Sequence, residues 1–206
     1  MCVRRCLVAL AVAFAFVACR DAAGPVTERV VPGPQFSRMP AAGIRMLEQS
    51  PSAPPLQTYR VSFWARHDRQ STVTVNYLSG QRFLRFRIPR FGLAEGPGDT
   101  RLRGSDSIRI TLTIDPLKLS VDFQPSGVEF SKVLAPVLTL SYANANPDLN
   151  GDGEVDARDQ TVEQLLGLWT QTRGAQRWLK LASKNDTMQE FVSARLYHFS
   201  EYALSW

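Results

Sequence analysis

The chain has 206 residues, with 24 Lys or Arg and 19 Asp or Glu. This length suits one domain with a full hydrophobic core, and the mild basic excess gives no indication of nucleic-acid binding. Two of the three cysteines, Cys2 and Cys6, lie in an N-terminal segment that we expect to be removed. We therefore expect a folded part without a disulfide, a thiolate zinc site or a cysteine nucleophile.

Residues 1–18 have the composition of an export signal peptide. A basic start, Arg4-Arg5, precedes an apolar run over residues 7–17 that is too short to span a bilayer comfortably. The run ends in Phe16-Val17-Ala18-Cys19 and resembles the signal of bacterial lipoproteins, which are cleaved before a cysteine that then receives lipid. The resemblance implies an exported envelope protein anchored in a membrane through Cys19. Ordinary signal cleavage, which would leave a secreted protein, is the alternative.

Residues 19–55 are punctuated by Pro, Ala and Gly and show no lasting hydrophobic period. Such a composition is typical of an extended, semi-rigid linker. We expect it to hold the following domain away from a membrane surface.

From residue 56 onward, apolar residues recur at every second position, as in strands with one buried face. Short strands separated by turn residues predict an all-β domain, an antiparallel β-sandwich, over residues 56–206. A Gly/Pro-rich loop is expected over residues 91–105, and one short helix is expected around Val162 to Leu166. The alternating apolar sets include Val73 and Val75; Leu84, Phe86 and Ile88; Ile108 to Ile114; Leu117 to Phe123; and Leu138 and Leu140.

Three stretches of the second half resemble the ZU-five domain, the immunoglobulin-like β-sandwich shared by zonula occludens protein, ankyrins and netrin receptors. They are P-S-G-V-E-F-S-K-V-L-A-P-V-L-T-L-S-Y at residues 125–142, W-L-K-L at residues 178–181, and L-Y-H-F-S-E-Y-A-L at residues 196–204. The resemblance implies a sandwich that is used mainly for protein contact.

One motif of that family carries chemistry. In some members an H-F-S sequence cleaves itself between Phe and Ser, with the hydroxyl attacking the preceding carbonyl and the His promoting proton transfer. His198, Phe199 and Ser200 match it residue for residue. The alternative is that His198 and Ser200 form a satisfied polar corner before the last strand. The sequence contains no other catalytic constellation, so we expect a protein without enzymatic activity.

Residues 148–159, D-L-N-G-D-G-E-V-D-A-R-D, have the spacing of a calcium loop. Ca²⁺ takes six to eight oxygens, and a twelve-residue loop supplies them only if it turns sharply after position five. Gly153 occupies that turn, and Val155 is the apolar residue expected to contact the core. The expected ligands are the side chains of Asp148, Asn150, Asp152, Asp156 and Asp159, and the backbone carbonyl of Glu154.

This loop resembles the EF-hand loop, and more closely the dockerin form, which also ends in Asp. Dockerins contain two such loops and this chain has one, so a cohesin partner is not implied. We expect residues 146–167 to be an insertion in the sandwich that binds Ca²⁺ for a structural purpose. The alternative is an acidic surface turn in which Asp and Asn cap the local backbone.

The arginines suggest a second contact surface. Arg85 and Arg87 lie on the strand face opposite Leu84 and Phe86, with Arg101, Arg103 and Arg109 nearby in sequence. Protection of the strands against edge pairing is the expected role of such outward arginines. The alternative is that this basic sheet face meets an anionic surface polymer or phosphates, or a protein partner. His67, in a polar turn, is expected to be solvated.

Overall fold

The structure is a computed structural model that describes residues 37–38, 44–171 and 177–206. The predicted signal peptide, Cys19 and most of the predicted linker lie outside these residues. The described part contains fifteen strands and one α-helix. The strands are β1 Ser37–Arg38, β2 Arg60–Arg66, β3 Ser71–Asn76, β4 Arg82–Ile88, β5 Leu93–Gly96, β6 Thr100–Arg101, β7 Ser107–Ile114, β8 Ser120–Gln124, β9 Glu129–Phe130, β10 Val137–Ser141, β11 Gly167–Gln171, β12 Trp178–Lys180, β13 Ser183–Asp186, β14 Phe191–Arg195 and β15 Glu201–Ser205, and the helix is α1 Ala157–Leu165.

These strands form two main antiparallel sheets and one small sheet. The seven-stranded sheet has the order β1-β12-β11-β15-β8-β7-β2, and the five-stranded sheet has the order β13-β14-β10-β4-β3. The small sheet has the order β6-β5-β9. The predicted all-β, antiparallel sandwich is therefore confirmed. Among the described residues, no helix is long and apolar enough to cross a membrane.

An aromatic cluster joins the two main sheets. The ring of Phe86, in the five-stranded sheet, lies 4.8 Å from that of Phe123, in the seven-stranded sheet. Phe199 stacks on Phe123 at 5.2 Å, and Phe130 meets Phe199 edge-on at 5.0 Å. All four side chains are buried, as strand alternation predicts for Phe86 and Phe123, while Phe130 comes from the small sheet and Phe199 from the connection between β14 and β15.

Some residues depart from the predicted pattern. Leu117 was expected in a buried row but is 73% exposed. The carboxylate of Asp115 accepts the backbone N–H groups of Leu117 and Lys118, at 2.8 and 3.0 Å, and this turn takes Leu117 off the inner face. The predicted loop over residues 91–105 contains β5 and β6, because β5 pairs with β9 about 35 residues away.

Residues 44–50, which the sequence places in the linker, lie against the sandwich. The backbone N–H of Leu47 donates to the Leu204 carbonyl, and its carbonyl accepts from Leu119, both at 2.9 Å. Leu47 is 3% exposed, so its side chain belongs to the core. This segment is therefore held by β15 and by the chain just before β8.

Candidate functional site

The acidic loop, residues 148–159, lies in the connection between the two main sheets, because β10 belongs to one and β11 to the other. Before the loop, the backbone N–H of Asn146 donates to the Glu48 carbonyl at 2.8 Å. After it, Glu163 of α1 accepts from the Tyr142 hydroxyl at 3.1 Å, and its backbone carbonyl accepts from the Asn185 amide at 2.6 Å. Both ends of the loop are therefore attached to the sandwich.

The first and last carboxylates of the acidic loop, those of Asp148 and Asp159, accept hydrogen bonds from backbone N–H groups of the loop. The two oxygens of Asp148 accept the N–H groups of Asp152, at 3.1 Å, and of Gly153, at 2.9 Å. Those of Asp159 accept from Asn150 at 3.1 Å and from Asp156 at 2.8 Å. Gly153 has φ of +93°, a conformation that glycine adopts without the Cβ penalty.

Two of the predicted ligands also cap the helix. Asp156 is the N-cap of α1 and accepts from Arg158 N–H at 2.7 Å, while Asp159 accepts from Asp156 N–H in the reciprocal half of a capping box. The capping predicted by the alternative interpretation is thus present. It leaves acceptor positions on Asp156, since an ionised carboxylate has about four lone-pair positions and the capping hydrogen bonds occupy only some of them.

Arg158 places a positive group beside two of the predicted ligands, Asp152 and Asp156. Its Nη1 donates to Asp152 Oδ2 at 2.9 Å, and its Nε lies 3.6 Å from Asp156 Oδ2. The Asn150 amide group donates to the same Asp152 oxygen at 3.1 Å. The local excess of negative charge at these carboxylates is thus partly balanced within the chain.

The loop backbone also favours ionised carboxylates. The N–H of Glu154 is the main cause of the lowered pKa of Asp152, and the N–H groups of Asp156 and Asn150 lower the pKa of Asp159. Because the pKa of each falls below the ordinary 3.8, both side chains carry their charge at neutral pH.

The donor set has the chemistry of a site for a hard cation: carboxylates, one amide and one carbonyl. In the described part of the chain, no three His, Cys, Asp or Glu side chains are gathered closely enough to hold a metal ion. Glu154 was expected to contribute only its backbone carbonyl, and its side chain is exposed. Val155, expected against the core, is 66% exposed, and Leu149 packs against the core instead.

Arg45 makes a contact with the acidic loop that sequence reasoning missed. Its Nη2 donates to the Gly151 carbonyl at 3.1 Å, and its own carbonyl accepts from the Ser205 hydroxyl at 2.7 Å. A Cβ at Gly151 would lie 1.3 Å from Arg45 Nη2, so any other residue there would displace the end of the Arg45 side chain. Arg45 lies far from the loop in sequence and in a segment expected to be linker, so no local signal indicated this contact.

Phe199 and Ser200 of the H-F-S motif are buried, and His198 is half-buried. Ser200 is 1% exposed and its hydroxyl donates to the Gln171 carbonyl. The Nδ1 atom of His198 lies 3.4 Å from the carbonyl oxygen of Phe199, the group that self-cleavage would attack. The Ser200 hydroxyl hydrogen is thus directed to a strand carbonyl rather than to the His198 ring.

The arginines that lie near one another in sequence are separated in space. Arg85 and Arg87 are on the five-stranded sheet, whereas Arg109 pairs opposite Trp64 in the seven-stranded sheet. Arg101 and Arg103 line a third place, a cavity of about 720 Å³ that His67 also lines. His67 is half-buried and its Nδ1 donates to the Leu93 carbonyl at 2.7 Å, so it is packed rather than freely solvated.

The chain matches no protein-family model, no curated protein and no solved structure. The support for a function therefore comes from the residues of the chain itself.

Proposed function

We propose that this protein is a calcium-binding, non-enzymatic module of the bacterial cell envelope, exported and held at a membrane by lipid on Cys19. Its β-sandwich would serve adhesion or protein interaction. The observation that supports calcium binding best is that Asp148 and Asp159, the two ends of the twelve-residue spacing, both direct their carboxylates at N–H groups of the acidic loop.

A cation in this loop has a structural role to perform. The segment connects β10 of one sheet to β11 of the other, and it also contacts residues 45–48 through Arg45 and Glu48. Several carboxylates in so short a loop repel one another, and a divalent cation offsets that repulsion. Calcium binding therefore favours the arrangement in which both sheets and the N-terminal segment are joined.

The lipid anchor is supported by the signal-like residues 1–18 and by Cys19 at their end. If more than one acyl chain is attached there, membrane binding is stable, since a single chain gives only marginal affinity. Secretion by ordinary cleavage remains the alternative localisation.

Self-cleavage between Phe199 and Ser200 is the second candidate function. It is favoured by the 3.4 Å approach of the His198 ring to the Phe199 carbonyl, which a protonated Nδ1 would polarise. It is disfavoured by the surroundings of Ser200. The Ser200 hydroxyl donates its hydrogen to the Gln171 carbonyl, and no basic side chain among the described residues accepts it.

One measurement tests both proposals: the intact mass of the chain under native conditions, with calcium and after chelation. We expect an unbroken chain that carries one calcium ion and loses it on chelation. A chain divided between Phe199 and Ser200 would replace the non-enzymatic assignment with autoproteolysis, and Ser200→Ala should then restore the intact mass. An unbroken chain without calcium would reduce the acidic loop to a capped surface turn.

Arg158 competes with calcium in this proposal, because it contacts two of the proposed ligand carboxylates. Arg158→Gln should raise calcium affinity by about twofold to fivefold, which is the scale of an exposed ion pair. Isothermal titration calorimetry measures the change. Arg109→Gln is the matched control, since it removes the same charge from the seven-stranded sheet and should leave affinity within experimental error. Unchanged or weaker affinity in Arg158→Gln would show that the two cations do not share these oxygens.

A further inference from the structure

The outer face of the five-stranded sheet concentrates positive charge. Its side chains alternate with the buried row that includes Leu84, Phe86, Leu138 and Leu140. Five basic residues share this face or its margin: Arg82, Arg85, Arg87, Lys184 and Arg195. We name this surface the basic face.

The strand registers arrange these charges in two rows. The first row crosses all five strands as Lys184, Ser193, Thr139, Arg85 and Thr74. The second row contains Arg195, Val137, Arg87 and Thr72. With strands about 4.8 Å apart and alternate residues of one strand about 6.7 Å apart, neighbouring charges are roughly 7 to 14 Å from one another. The first row therefore presents spaced cations with the hydroxyls of Ser193 and Thr139 between them, whereas in the second row Val137 lies between Arg195 and Arg87.

Edge protection does not account for these arginines. Arg85 and Arg87 are on β4, which has β3 on one side and β10 on the other, so neither residue guards a free edge. Nor are the charges neutralised: none of the five basic residues forms an ion pair with any of the described residues. Arg85 and Arg87 therefore protect no edge and form no ion pair with a described residue, so they are available to an external anion.

A shallow depression on the basic face offers a place for such an anion. Its volume is about 280 Å³, and its lining includes Arg82, Arg85, Lys184 and the hydroxyls of Thr139 and Ser193. The guanidinium of Arg82 lies 4.4 Å from the centre of the Phe191 ring, and this contact holds it at the border of the depression. One acid, Asp186, is also part of the lining.

We infer that the basic face binds an acidic polysaccharide. Repeated cations on a sheet match repeated anionic groups along a polymer, and the Ser and Thr hydroxyls of the first row match sugar hydroxyls, which both donate and accept hydrogen bonds. Single-stranded nucleic acid is a poorer match because the two rows contain no aromatic side chain, and the Phe191 ring beside the depression already has the Arg82 guanidinium over it rather than open to a stacked base. The inference rests on the proposed interaction role, but it does not require calcium.

The test is binding of the purified full chain to polygalacturonate, with neutral dextran of similar length as the comparison and with EDTA present to exclude calcium bridging. We expect binding to polygalacturonate alone, weakening as sodium chloride is raised. The double variant Arg85→Gln/Arg87→Gln should lose at least about tenfold in affinity. If this variant melts below the parent chain, Lys184→Gln/Arg195→Gln tests the same face.

The matched control is Arg60→Gln/Arg109→Gln, which removes the same charge from the seven-stranded sheet, where Ser62 and Thr111 lie beside the two arginines. This control should bind within about twofold of the parent chain. Equal losses in both double variants, absence of polygalacturonate binding at low salt, or equally tight binding of RNA or anionic vesicles would overturn the inference. Retention of calcium stabilisation in such a case would leave the calcium proposal standing.

Discussion

Chelation of calcium is expected to lower the melting temperature of the chain by about 5–10 °C. A site held about a hundredfold above its dissociation constant adds roughly 2.7 kcal/mol to the free energy of unfolding, and each kcal/mol moves the melting temperature of a domain this size by about 2–4 °C. Asp148→Ala should abolish the difference between the two conditions. Differential scanning calorimetry with calcium and with EDTA measures it.

The difference between the two conditions is the informative quantity, since Asp148 also accepts two backbone hydrogen bonds and its loss destabilises the loop without any metal. Glu154→Ala is the matched control: it removes an acid from the same loop but keeps the backbone carbonyl that is the proposed ligand. This variant should retain the calcium effect. Identical melting of the parent chain with and without calcium would contradict the proposed site.

Phe199→Ala is expected to cost about 3–5 kcal/mol in the free energy of unfolding, the range for truncating a buried aromatic residue. Phe199 is 5% exposed, stacks on Phe123, and contacts Phe130 and Phe86. Its removal leaves a cavity where the two main sheets meet. Urea unfolding of the parent and variant measures the loss.

The control for that experiment is Leu117→Ala, since Leu117 is 73% exposed and its truncation should change the free energy by less than about 0.5 kcal/mol. A loss below about 1 kcal/mol in Phe199→Ala would show that the aromatic cluster does not stabilise the sandwich. In that case, packing of Phe199 in the core would not explain why the chain contains the H-F-S motif.

Much of the architecture was predictable because its signals are local. A two-residue period reports which face of a strand is buried wherever only one face is covered, as Phe86 and Ile110 illustrate. The spacing of residues 148–159 likewise depends on a single continuous segment. Asp148 and Gly153 meet within five residues of one another, so the closed form of the acidic loop could be anticipated from sequence.

Contacts between distant segments could not be predicted in this way. Arg45 donates to the carbonyl of Gly151, which is 106 positions away in sequence. The backbone of Leu47 is hydrogen-bonded to both Leu119 and Leu204. Arg158 is in the predicted loop, but only its conformation shows that it contacts Asp152 and Asp156. Such contacts depend on the side-chain rotamers and the neighbours of each residue in the folded chain. The hydrophobic period of the sequence gives no information about either.

The sequence by itself determined that the part of the chain described by the structure is a β-domain with one short helix, because strand alternation and helix spacing are local and repeat along the chain. Only the tertiary structure decided that Arg85 and Arg87 join Lys184 and Arg195, while Arg101, Arg103 and Arg109 face elsewhere. The physical reason is that strand order is set by pairing between segments far apart in the chain. Proximity in sequence therefore does not decide which charges share a surface.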